Sequence, residues 1–282
     1  MSEATRAGAG GLPMVALRST DGAIAHVYLH GAHVTSWKPA RDGDERLFLS
    51  ERSEFRPGVA IRGGIPVIFP QFAAEGPLPR HGFARTSEWM LDSVSTKGGD
   101  AIASLSLRDS ADTRAIWNHE FLATLGVRVG GDQLVVTLTV ENCGTAPLSF
   151  TAALHSYLRV FDARDTTLVG LRGTKHRESG EPGTLVKETG DALRFDGKVD
   201  RVYVDVPRTL TLWEPERSLE IGFDTFPDAV VWNPGPAKAA ALADMEPGGE
   251  RHMACVEAAV VQRPVTLGAG EQWSGTQRFR AG

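Results

Sequence analysis

Two residues in separate apolar segments have side chains suited to acid–base chemistry. His155 lies in FTAALHSYLRV, and Glu257 lies in MACVEAAVV. Histidine changes its charge near neutral pH, so it can serve as an acid or as a base. A carboxylate in so apolar a strand is costly unless it is paired, which makes Glu257 a candidate general base. The ordinary alternatives are a hydrogen-bonded histidine and a glutamate that points to solvent.

A turn-rich segment at 61–85, IRGGIPVIFPQFAAEGPLPRHGFAR, carries several cations. Arg62 precedes two glycines, and the prolines that follow stiffen the chain by fixing φ. A guanidinium fork can hold two phosphate oxygens at once, and a rigid loop loses less entropy on binding. Arg62, His81 and Arg85 therefore form a candidate anion site. Solvated loop arginines would explain the same pattern.

Other conspicuous residues give weaker signals. Trp232 precedes a rigid Asn-Pro turn, where it would serve as a sugar-stacking wall or as a core aromatic. His30 and His33 lack the spacing of a helical zinc motif, and we expect no metal site. Cys143 and Cys255 form no C-x-x-C pair, so we expect two reduced, packed thiols. No Gly-rich phosphate-binding motif is present in a strand-turn-helix context.

The composition excludes several classes of protein. The chain has 30 basic and 35 acidic residues, a net charge of −5, and no long run of one sign. A general nucleic-acid binder would be basic or carry a basic stripe. No stretch reaches the roughly 20 apolar residues of a membrane helix, and no signal peptide is evident. We expect a cytoplasmic monomer that binds neither nucleic acid nor membranes.

Alternation of apolar and polar residues dominates the chain and predicts short β-strands. Glycines between two such runs, at Gly130-Gly131-Asp132, predict a hairpin. No window of 11 or more residues shows a helical stripe. We expect an all-β sandwich or barrel, with a flexible segment at 1–12 and one domain at 13–282. The predicted strands are Ala25–Leu29, Leu47–Leu49, Ala101–Leu107, Phe121–Val129, Leu134–Val140, Thr209–Trp213, Leu219–Phe223 and Gln272–Phe279.

Motifs along nearly the whole chain resemble those of the aldose 1-epimerase (mutarotase) family, in its hexose-6-phosphate branch. No single motif is decisive, but their order is specific. In chain order they are HGAHVTSW at 30–37, RGGIPVIFPQF at 62–72, LPRHGFAR at 78–85, WNHEFL at 117–122, ALHSYLRV at 153–160, VDRVY at 199–203, VVWNPGPAKA at 230–239 and the strand that carries Glu257.

The resemblance implies a large antiparallel β-sandwich of the galactose-mutarotase type and an isomerase that needs no cofactor. It implies that His155 is the general acid and Glu257 the general base. Their substrate would be a small-molecule sugar phosphate, with glucose 6-phosphate as the leading candidate. The implied substrate-binding residues are Arg62, Gln71, His81, Arg85 and Asp200.

One loop departs from the family pattern L-x-G-x-x-Y-x-D. Leu171 and Gly173 are retained, whereas His176 and Glu178 stand where tyrosine and aspartate are usual. This departure puts sugar contacts from that loop in doubt and leaves the acid–base pair untouched. Two other functions remain open at this point. They are a mutarotase for unphosphorylated aldoses and a non-catalytic sugar-phosphate-binding domain.

Overall fold

The computed structural model describes residues 4–179 and 183–282. The helices in this part of the chain are short, α1 at Ala111–Ile116 and α2 at Gly235–Ala240, with four 3₁₀ turns besides. Within the described ranges, no helix has the length and apolar character needed to cross a membrane. Every pair of strands described is antiparallel, so the architecture is all-β, as the alternating sequence predicts.

A four-stranded sheet begins the chain. Its strands, in spatial order, are β1 (Arg6–Ala7), β2 (Pro13–Arg18), β3 (Ile24–Tyr28) and β4 (His33–Lys38). The pairing of β1 with β2 means that ordered structure starts before residue 13. The division into a flexible segment 1–12 and a domain 13–282 stays a prediction, of which residues 1–3 lie outside the described residues.

An eight-stranded sheet carries most of the chemically interesting residues. Its strands are β5 Val67–Ile68, β10 Leu148–Leu154, β11 Tyr157–Arg159, β13 Lys175–Glu178, β14 Val186–Lys187, β16 Val199–Val204, β19 Asp228–Asn233 and β20 Met253–Leu267. Their spatial order is β14-β13-β16-β19-β20-β10-β5, with β11 also paired to β20.

A nine-stranded sheet forms the other layer. Its strands are β6 Met90–Lys97, β7 Asp100–Arg108, β8 Phe121–Gly130, β9 Gln133–Asn142, β12 Thr167–Val169, β15 Ala192–Arg194, β17 Thr209–Trp213, β18 Ser218–Asp224 and β21 Gln272–Ala281. Their spatial order is β15-β12-β17-β18-β21-β9-β8-β7-β6. Strands β8 and β9 form the predicted hairpin, because Gly130 pairs with Gln133 and Gly131 has a positive φ of 55°.

Most of the predicted strands overlap observed ones. The exception is Leu47–Leu49, which makes only isolated bridges to Leu158 and Gly63. The sequence reading missed β6, because nearly all of its side chains are exposed and its two faces do not alternate in character. Strand periodicity arises from burial of one face, so an edge strand wet on both faces lacks it.

The main core lies between the inner faces of the two large sheets. Leu125 and Leu138 of the nine-stranded sheet and Leu154 and Val256 of the eight-stranded sheet belong to one buried apolar cluster. The opposite, outer face of the eight-stranded sheet is also largely covered. Ile68 and Val202 belong to a second buried cluster there, and a third contains aromatic and sulfur-containing side chains. The candidate site lies between these two outer clusters.

Candidate active site

Strand alternation places Glu257 on the outer face of β20, together with Cys255 and Ala259. Its cross-strand partner on β19 is Val230. His155 follows the end of β10, where its backbone N–H donates to Pro66 O at 3.0 Å. The two side chains approach each other, and His155 Nδ1 lies 3.3 Å from Glu257 Oε1. Two residues 102 positions apart in sequence thus meet on one face of the sheet.

The His155–Glu257 couple is almost completely shielded from solvent. His155 is 8% exposed and Glu257 is 1% exposed. Burial raises the pKa of Glu257 well above its ordinary value, and Asp200 adds to the effect. Burial also lowers the pKa of His155, as do the charges of Arg62 and Arg85. Both groups are therefore held in their neutral forms. Such a buried environment is expected of groups that exchange protons at neutral pH.

The polar atoms of the couple are incompletely satisfied by the protein. His155 Nδ1 and Glu257 Oε2 are buried and have no hydrogen-bond partner among the described residues. The 3.3 Å contact between the side chains falls outside hydrogen-bond geometry. Buried polar atoms without partners are costly and mark sites where a ligand supplies the missing bonds.

Aromatic side chains fix the plane of the His155 ring. Tyr157 stacks on it with a centroid distance of 4.6 Å and an interplanar angle of 8°. Trp232 meets the same ring edge-on at 5.9 Å. With Nδ1 directed at Glu257 and the ring held on two sides, Nε2 is left to face a ligand. Trp232 is only 8% exposed, so it is mainly a core aromatic, although it also lines the cleft.

His81 reaches the same cleft from the loop that follows β5. Its backbone has a φ of 67°, and that of Ala73 has a φ of 47°, both uncommon for residues with a Cβ. The two residues clasp each other, since His81 N–H donates to Ala73 O at 2.8 Å and Ala73 N–H donates to His81 Nδ1 at 3.2 Å. Because Nδ1 accepts, the neutral ring carries its proton on Nε2.

Burial also determines the charge of His81. It lowers the pKa of His81 to about 3, with help from Arg85, Arg80 and Arg62. The ring is therefore neutral at pH 7 and offers one hydrogen-bond donor, Nε2–H. Its centroid lies 5.9 Å from that of His155. A ligand that lies against both rings would meet the donor of His81 beside the acid–base couple.

Gln71 does not line the cleft. Its side-chain amide donates to Leu78 O at 2.9 Å and to Ala73 O at 3.3 Å, and its oxygen accepts from Leu78 N–H at 2.9 Å. The amide is thus engaged with the backbone of its own loop. The sequence prediction gave Gln71 a place in the substrate pocket, whereas the structure gives it the task of bracing the loop that presents His81.

The backbone that presents Arg62 at the cleft requires a glycine at the next position, Gly63. A Cβ on Gly63 would lie 2.4 Å from Phe48 O, and Gly63 has a φ of 112°. The guanidinium has two partners: Nη2 lies 3.0 Å from Asp244 Oδ2, and Nη1 donates to Tyr157 Oη at 2.9 Å, which leaves part of its five donors for a ligand. Burial disfavours the charge, but Tyr157 and Asp244 outweigh it and raise the pKa of Arg62.

Arg85, in contrast, has no carboxylate partner within the described ranges. Its Nη2 donates to Arg80 O at 3.3 Å, while its Nε is buried and unpartnered. Burial lowers the pKa of Arg85, and the neighbouring Arg62 and Arg80 charges act in the same direction. Arginine stays protonated even so, and Arg85 is a cation that lines the cleft and keeps an unused donor.

Asp200 reaches the cleft from β16, where it lies opposite Trp232 of β19. Lys238 Nζ lies 3.4 Å from Asp200 Oδ2 and 5.8 Å from the Trp232 ring centroid. Helix α2 positions Lys238, and Asn233 fixes the start of that helix by accepting from Gly235 N–H at 2.9 Å. The WNPG turn therefore serves to present a cation at the cleft.

These side chains surround one cleft of about 400 Å³. A shallower depression of about 690 Å³ near β6 and α1 is larger, but it contains no histidine beside a carboxylate. Chemistry rather than volume therefore selects the first cleft. Six of the seven predicted site residues line it: Arg62, His81, Arg85, His155, Asp200 and Glu257.

Some cleft residues were not predicted. Arg80 and Lys238 line the cleft, and Tyr157 and Asp244 hold Arg62. Tyr157 could have been noticed, because it lies two residues after His155 on an extended segment. Nothing local indicates Asp244, which comes from a turn 182 residues away from its partner.

The atypical segment forms strand β13, and neither His176 nor Glu178 lines the cleft, although the next residue, Ser179, does. His176 Nε2 is 4.0 Å from Glu188 Oε2, and Glu178 is 3.8 Å from Arg201. The two substituted residues thus belong to an ion-pair network beside Tyr203. His30 and His33 are also accounted for, since each ring contacts a backbone carbonyl, Val59 O and Gly63 O respectively, at 2.7 Å.

Fold and cleft together define a β-sandwich of the sugar-epimerase class, whose cleft is lined by an acid–base couple and by several cations. Comparison with known proteins agrees. The family model described as aldose 1-epimerase matches residues 13–280. The chain belongs to the aldose 1-epimerase family.

Two relatives provisionally named glucose-6-phosphate 1-epimerases illustrate the similarity. A Cenchrus ciliaris protein is 38% identical over 276 residues, covering 94% of this chain and 83% of that one. An Escherichia coli protein is 34% identical over 236 residues, covering 82% of this chain and 78% of that one.

Solved structures share the fold. A Salmonella typhimurium protein described provisionally as a mutarotase superposes with a TM-score of 0.87 at 28% identity, covering 96% of this chain and 90% of that one. A galactose mutarotase-like protein from Clostridium acetobutylicum has a TM-score of 0.80 at 14% identity, covering 99% and 97%. The predicted galactose-mutarotase type of β-sandwich is confirmed.

Proposed function

We propose that the protein interconverts the α and β anomers of a hexose 6-phosphate, with glucose 6-phosphate as the first candidate. One observation carries the proposal. A single cleft is lined both by the buried His155–Glu257 couple and by Arg85, a cation without a carboxylate partner in the described structure. The names of the relatives point to the same substrate class.

The charges of the cleft suit a phosphate ester. Its lining includes four cations, Arg62, Arg80, Arg85 and Lys238, against the carboxylate of Asp200 and the buried Glu257. Asp244 stands behind Arg62 and neutralises it. With Glu257 protonated, four cations minus two carboxylates leave an excess of two positive charges. A phosphate monoester carries about −1.5 to −2 at pH 7, which matches that excess.

Ring opening needs one proton removed and one proton supplied. Glu257 takes the proton of the C1 hydroxyl, and His155 Nε2–H protonates the ring oxygen as the C1–O5 bond breaks. The open aldehyde turns about C1–C2 and closes on its other face, with the proton movements reversed. Such positioned groups each contribute about 10²–10⁴-fold. No redox change occurs, so the reaction requires no cofactor.

A small side-chain rotation that brings the two groups into hydrogen-bond geometry permits a relay that leaves neither of them charged. Glu257 accepts the hydroxyl proton on Oε2 while the proton already on Oε1 passes to His155 Nδ1, 3.3 Å away. His155 then gives up its Nε2 proton to O5. Each side chain gains one proton and loses one, so no ion pair has to persist in the dry part of the cleft.

Binding groups orient the sugar for this step. His81 Nε2–H donates to the ring oxygen or to a neighbouring hydroxyl, and Asp200 accepts from hydroxyls. Arg85 and Arg62 hold the phosphate, which places C1 at the acid–base couple. Fixing the reacting atoms in this way accounts for much of the rate that an enzyme provides.

The decisive experiment is NMR magnetisation exchange between the α and β anomeric protons, run on glucose 6-phosphate and, in parallel, on glucose. We expect catalysed exchange for the phosphate ester and little for the free sugar. Equal exchange for both sugars would favour a mutarotase for unphosphorylated aldoses. Binding of glucose 6-phosphate without exchange, by folded protein, would leave a non-catalytic binding domain.

The cellular setting proposed from the sequence is a cytoplasmic monomer without nucleic-acid or membrane partners. The net charge of −5 and the local character of the cationic cleft support the lack of affinity for nucleic acid. Light scattering after size-exclusion chromatography tests the oligomeric state, because a monomer of 30.3 kDa is easily distinguished from a dimer.

A further inference from the structure

Cys255 lies beside the acid–base couple, and the proposed reaction does not use it. It shares the outer face of β20 with Glu257, two residues further along. A ring nitrogen of His155, Cys255 Sγ and a Glu257 carboxylate oxygen all lie within 4.8 Å of one another, and the contact of His155 with Glu257 is made by Nδ1. In the described parts of the chain, no other group of three or more His, Cys, Asp or Glu side chains converges in this way.

The three side chains are buried and have lone pairs to spare. Cys255 is 0% exposed, Glu257 is 1% exposed and His155 is 8% exposed. His155 Nδ1 and Glu257 Oε2 have no hydrogen-bond partner in the described structure. An electron-pair acceptor placed between them would satisfy atoms that the protein leaves unsatisfied.

The ligand types select a class of ion. Thiolate, imidazole and carboxylate together suit Zn²⁺ and similar thiophilic cations, whereas Mg²⁺ prefers oxygen ligands and retains its waters. Burial keeps Cys255 and Glu257 protonated in the free site, so the ion displaces one proton from each to solvent. The divalent ion with one thiolate and one carboxylate is again neutral overall, and the site gains no net charge. Ligand atoms around tetrahedral zinc are about 3.3–3.8 Å apart, so side-chain shifts of about 1 Å would complete the site.

We propose that His155, Cys255 and Glu257 form an inhibitory binding site for a thiophilic divalent cation, Zn²⁺ in particular. The bound ion ties up the carboxylate and Nδ1, so Glu257 can no longer take the C1 hydroxyl proton. The ion is therefore an inhibitor of the enzyme and has no part in the reaction. The inhibitory effect rests on the proposed function, whereas the binding site itself does not.

Binding is tested first, without any assay of turnover. Co²⁺ replaces Zn²⁺ and reports a coordinated thiolate by a charge-transfer band. We expect this band in the wild type and in Cys143→Ser, which removes the exposed thiol. We expect no band in Cys255→Ser, and a weaker apparent affinity in Glu257→Gln. A band that persists in Cys255→Ser and disappears in Cys143→Ser would place the ion on the surface thiol and overturn the proposal.

Inhibition is tested second, by anomer exchange of glucose 6-phosphate in the absence of thiol reductants. Zn²⁺ should inhibit the wild type and Cys143→Ser alike, and Mg²⁺ should inhibit neither. Loss of the thiolate ligand should raise the inhibitory Zn²⁺ concentration about tenfold or more in Cys255→Ser. Unchanged sensitivity would contradict the proposal. If Cys255→Ser is unstable, Cys255→Ala provides the same comparison.

The two measurements separate two kinds of failure. A thiolate band without any catalysed exchange would keep the metal site and refute the proposed epimerase function. Catalysed exchange that Zn²⁺ leaves unchanged, together with the lack of a Cys255-dependent band, would keep the enzyme and refute the metal site.

Discussion

Two groups of side chains in the cleft deal with charge in opposite ways. In the acid–base couple, His155 and Glu257 are buried, contact each other and are held neutral, with polar atoms left unpartnered. Among the four cations of the cleft, the charges persist, and two are paired with a carboxylate: Arg62 with Asp244 and Lys238 with Asp200. Proton exchange needs groups whose charge is easily changed, whereas anion binding needs charges that stay.

Among the cations, Arg62 and Arg85 also differ. Arg62 is engaged with Asp244 and Tyr157, and the latter stacks beneath His155. Arg85 has neither hydrogen-bond partner and keeps an unsatisfied buried Nε. Arginines in one motif-rich segment therefore need not share one task. Arg85 has donors to offer an anion, whereas Arg62 also supports the stack beneath the His155 ring.

The largest effect is expected from Glu257→Gln. An amide cannot accept the C1 hydroxyl proton, so exchange of glucose 6-phosphate anomers should fall about 10²–10⁴-fold. The folded state should not be weakened at pH 8, because the amide removes a group whose ionised form burial disfavours. NMR exchange measures the rate, and thermal unfolding measures the stability.

The matched control is Glu220→Gln, which changes an exposed glutamate on β18 in the other sheet and should leave both quantities unchanged. Full exchange activity in Glu257→Gln would contradict the acid–base role, because the buried His155–Glu257 couple would then have no part in the chemistry.

Much of this site was predictable from sequence, for identifiable reasons. Glu257 stood out because a carboxylate interrupts an apolar run, and strand alternation correctly placed it with Cys255 and Ala259. Gln71 shows where such reasoning stops. A polar residue inside a family motif was assigned to the pocket, but its side-chain direction depends on how the 71–78 loop folds back on itself.

Pairing between distant residues was also beyond the reach of local patterns. Tyr157 and Arg62 are 95 residues apart, and Asp244 is 182 residues from Arg62. Those contacts depend on which strands become neighbours in the eight-stranded sheet, and no local periodicity encodes strand order. The sequence therefore predicted two of the four cations of the cleft, Arg62 and Arg85, but it could not predict which cations are neutralised.

The second prediction tests the difference between the arginines. Arg85→Ala should raise the KM for glucose 6-phosphate about 10–100-fold, since charge-assisted hydrogen bonds are worth about 1.5–3 kcal/mol. It should leave kcat nearly unchanged. Arg62→Ala should raise KM less and lower kcat more, because it releases Tyr157 beneath the His155 ring. Steady-state kinetics on glucose 6-phosphate and glucose separate the two parameters.

Arg159→Ala serves as the control, because it removes an exposed cation of β11 that does not line the cleft. Equal losses on both sugars in Arg85→Ala would rule out a phosphate-anchoring role. Identical kinetic profiles for Arg62→Ala and Arg85→Ala would contradict the division of tasks between them.

The smallest effect concerns the pH dependence of stability. His81 should contribute to it, because this histidine stays neutral in the folded protein. Burial lowers the pKa of His81 to about 3, below the ordinary value of 6.5. As pH falls below 6.5, the unfolded chain binds a proton at this position and the folded chain does not. Stability is therefore lost, by about 1.4 kcal/mol per pH unit for one such group, until the folded-state pKa is reached.

His81→Asn isolates this contribution. Asparagine tolerates the left-handed backbone at this position, and its side-chain oxygen can accept from Ala73 N–H in place of Nδ1. Urea unfolding at a series of pH values between 6 and 4 should show a free energy of unfolding that falls less steeply in the variant than in the wild type. Arg159→Ala should keep the wild-type slope, because arginine does not titrate in this range. A variant slope equal to that of the wild type would mean that His81 is charged in the folded protein, and the neutral donor proposed for it would have to be abandoned.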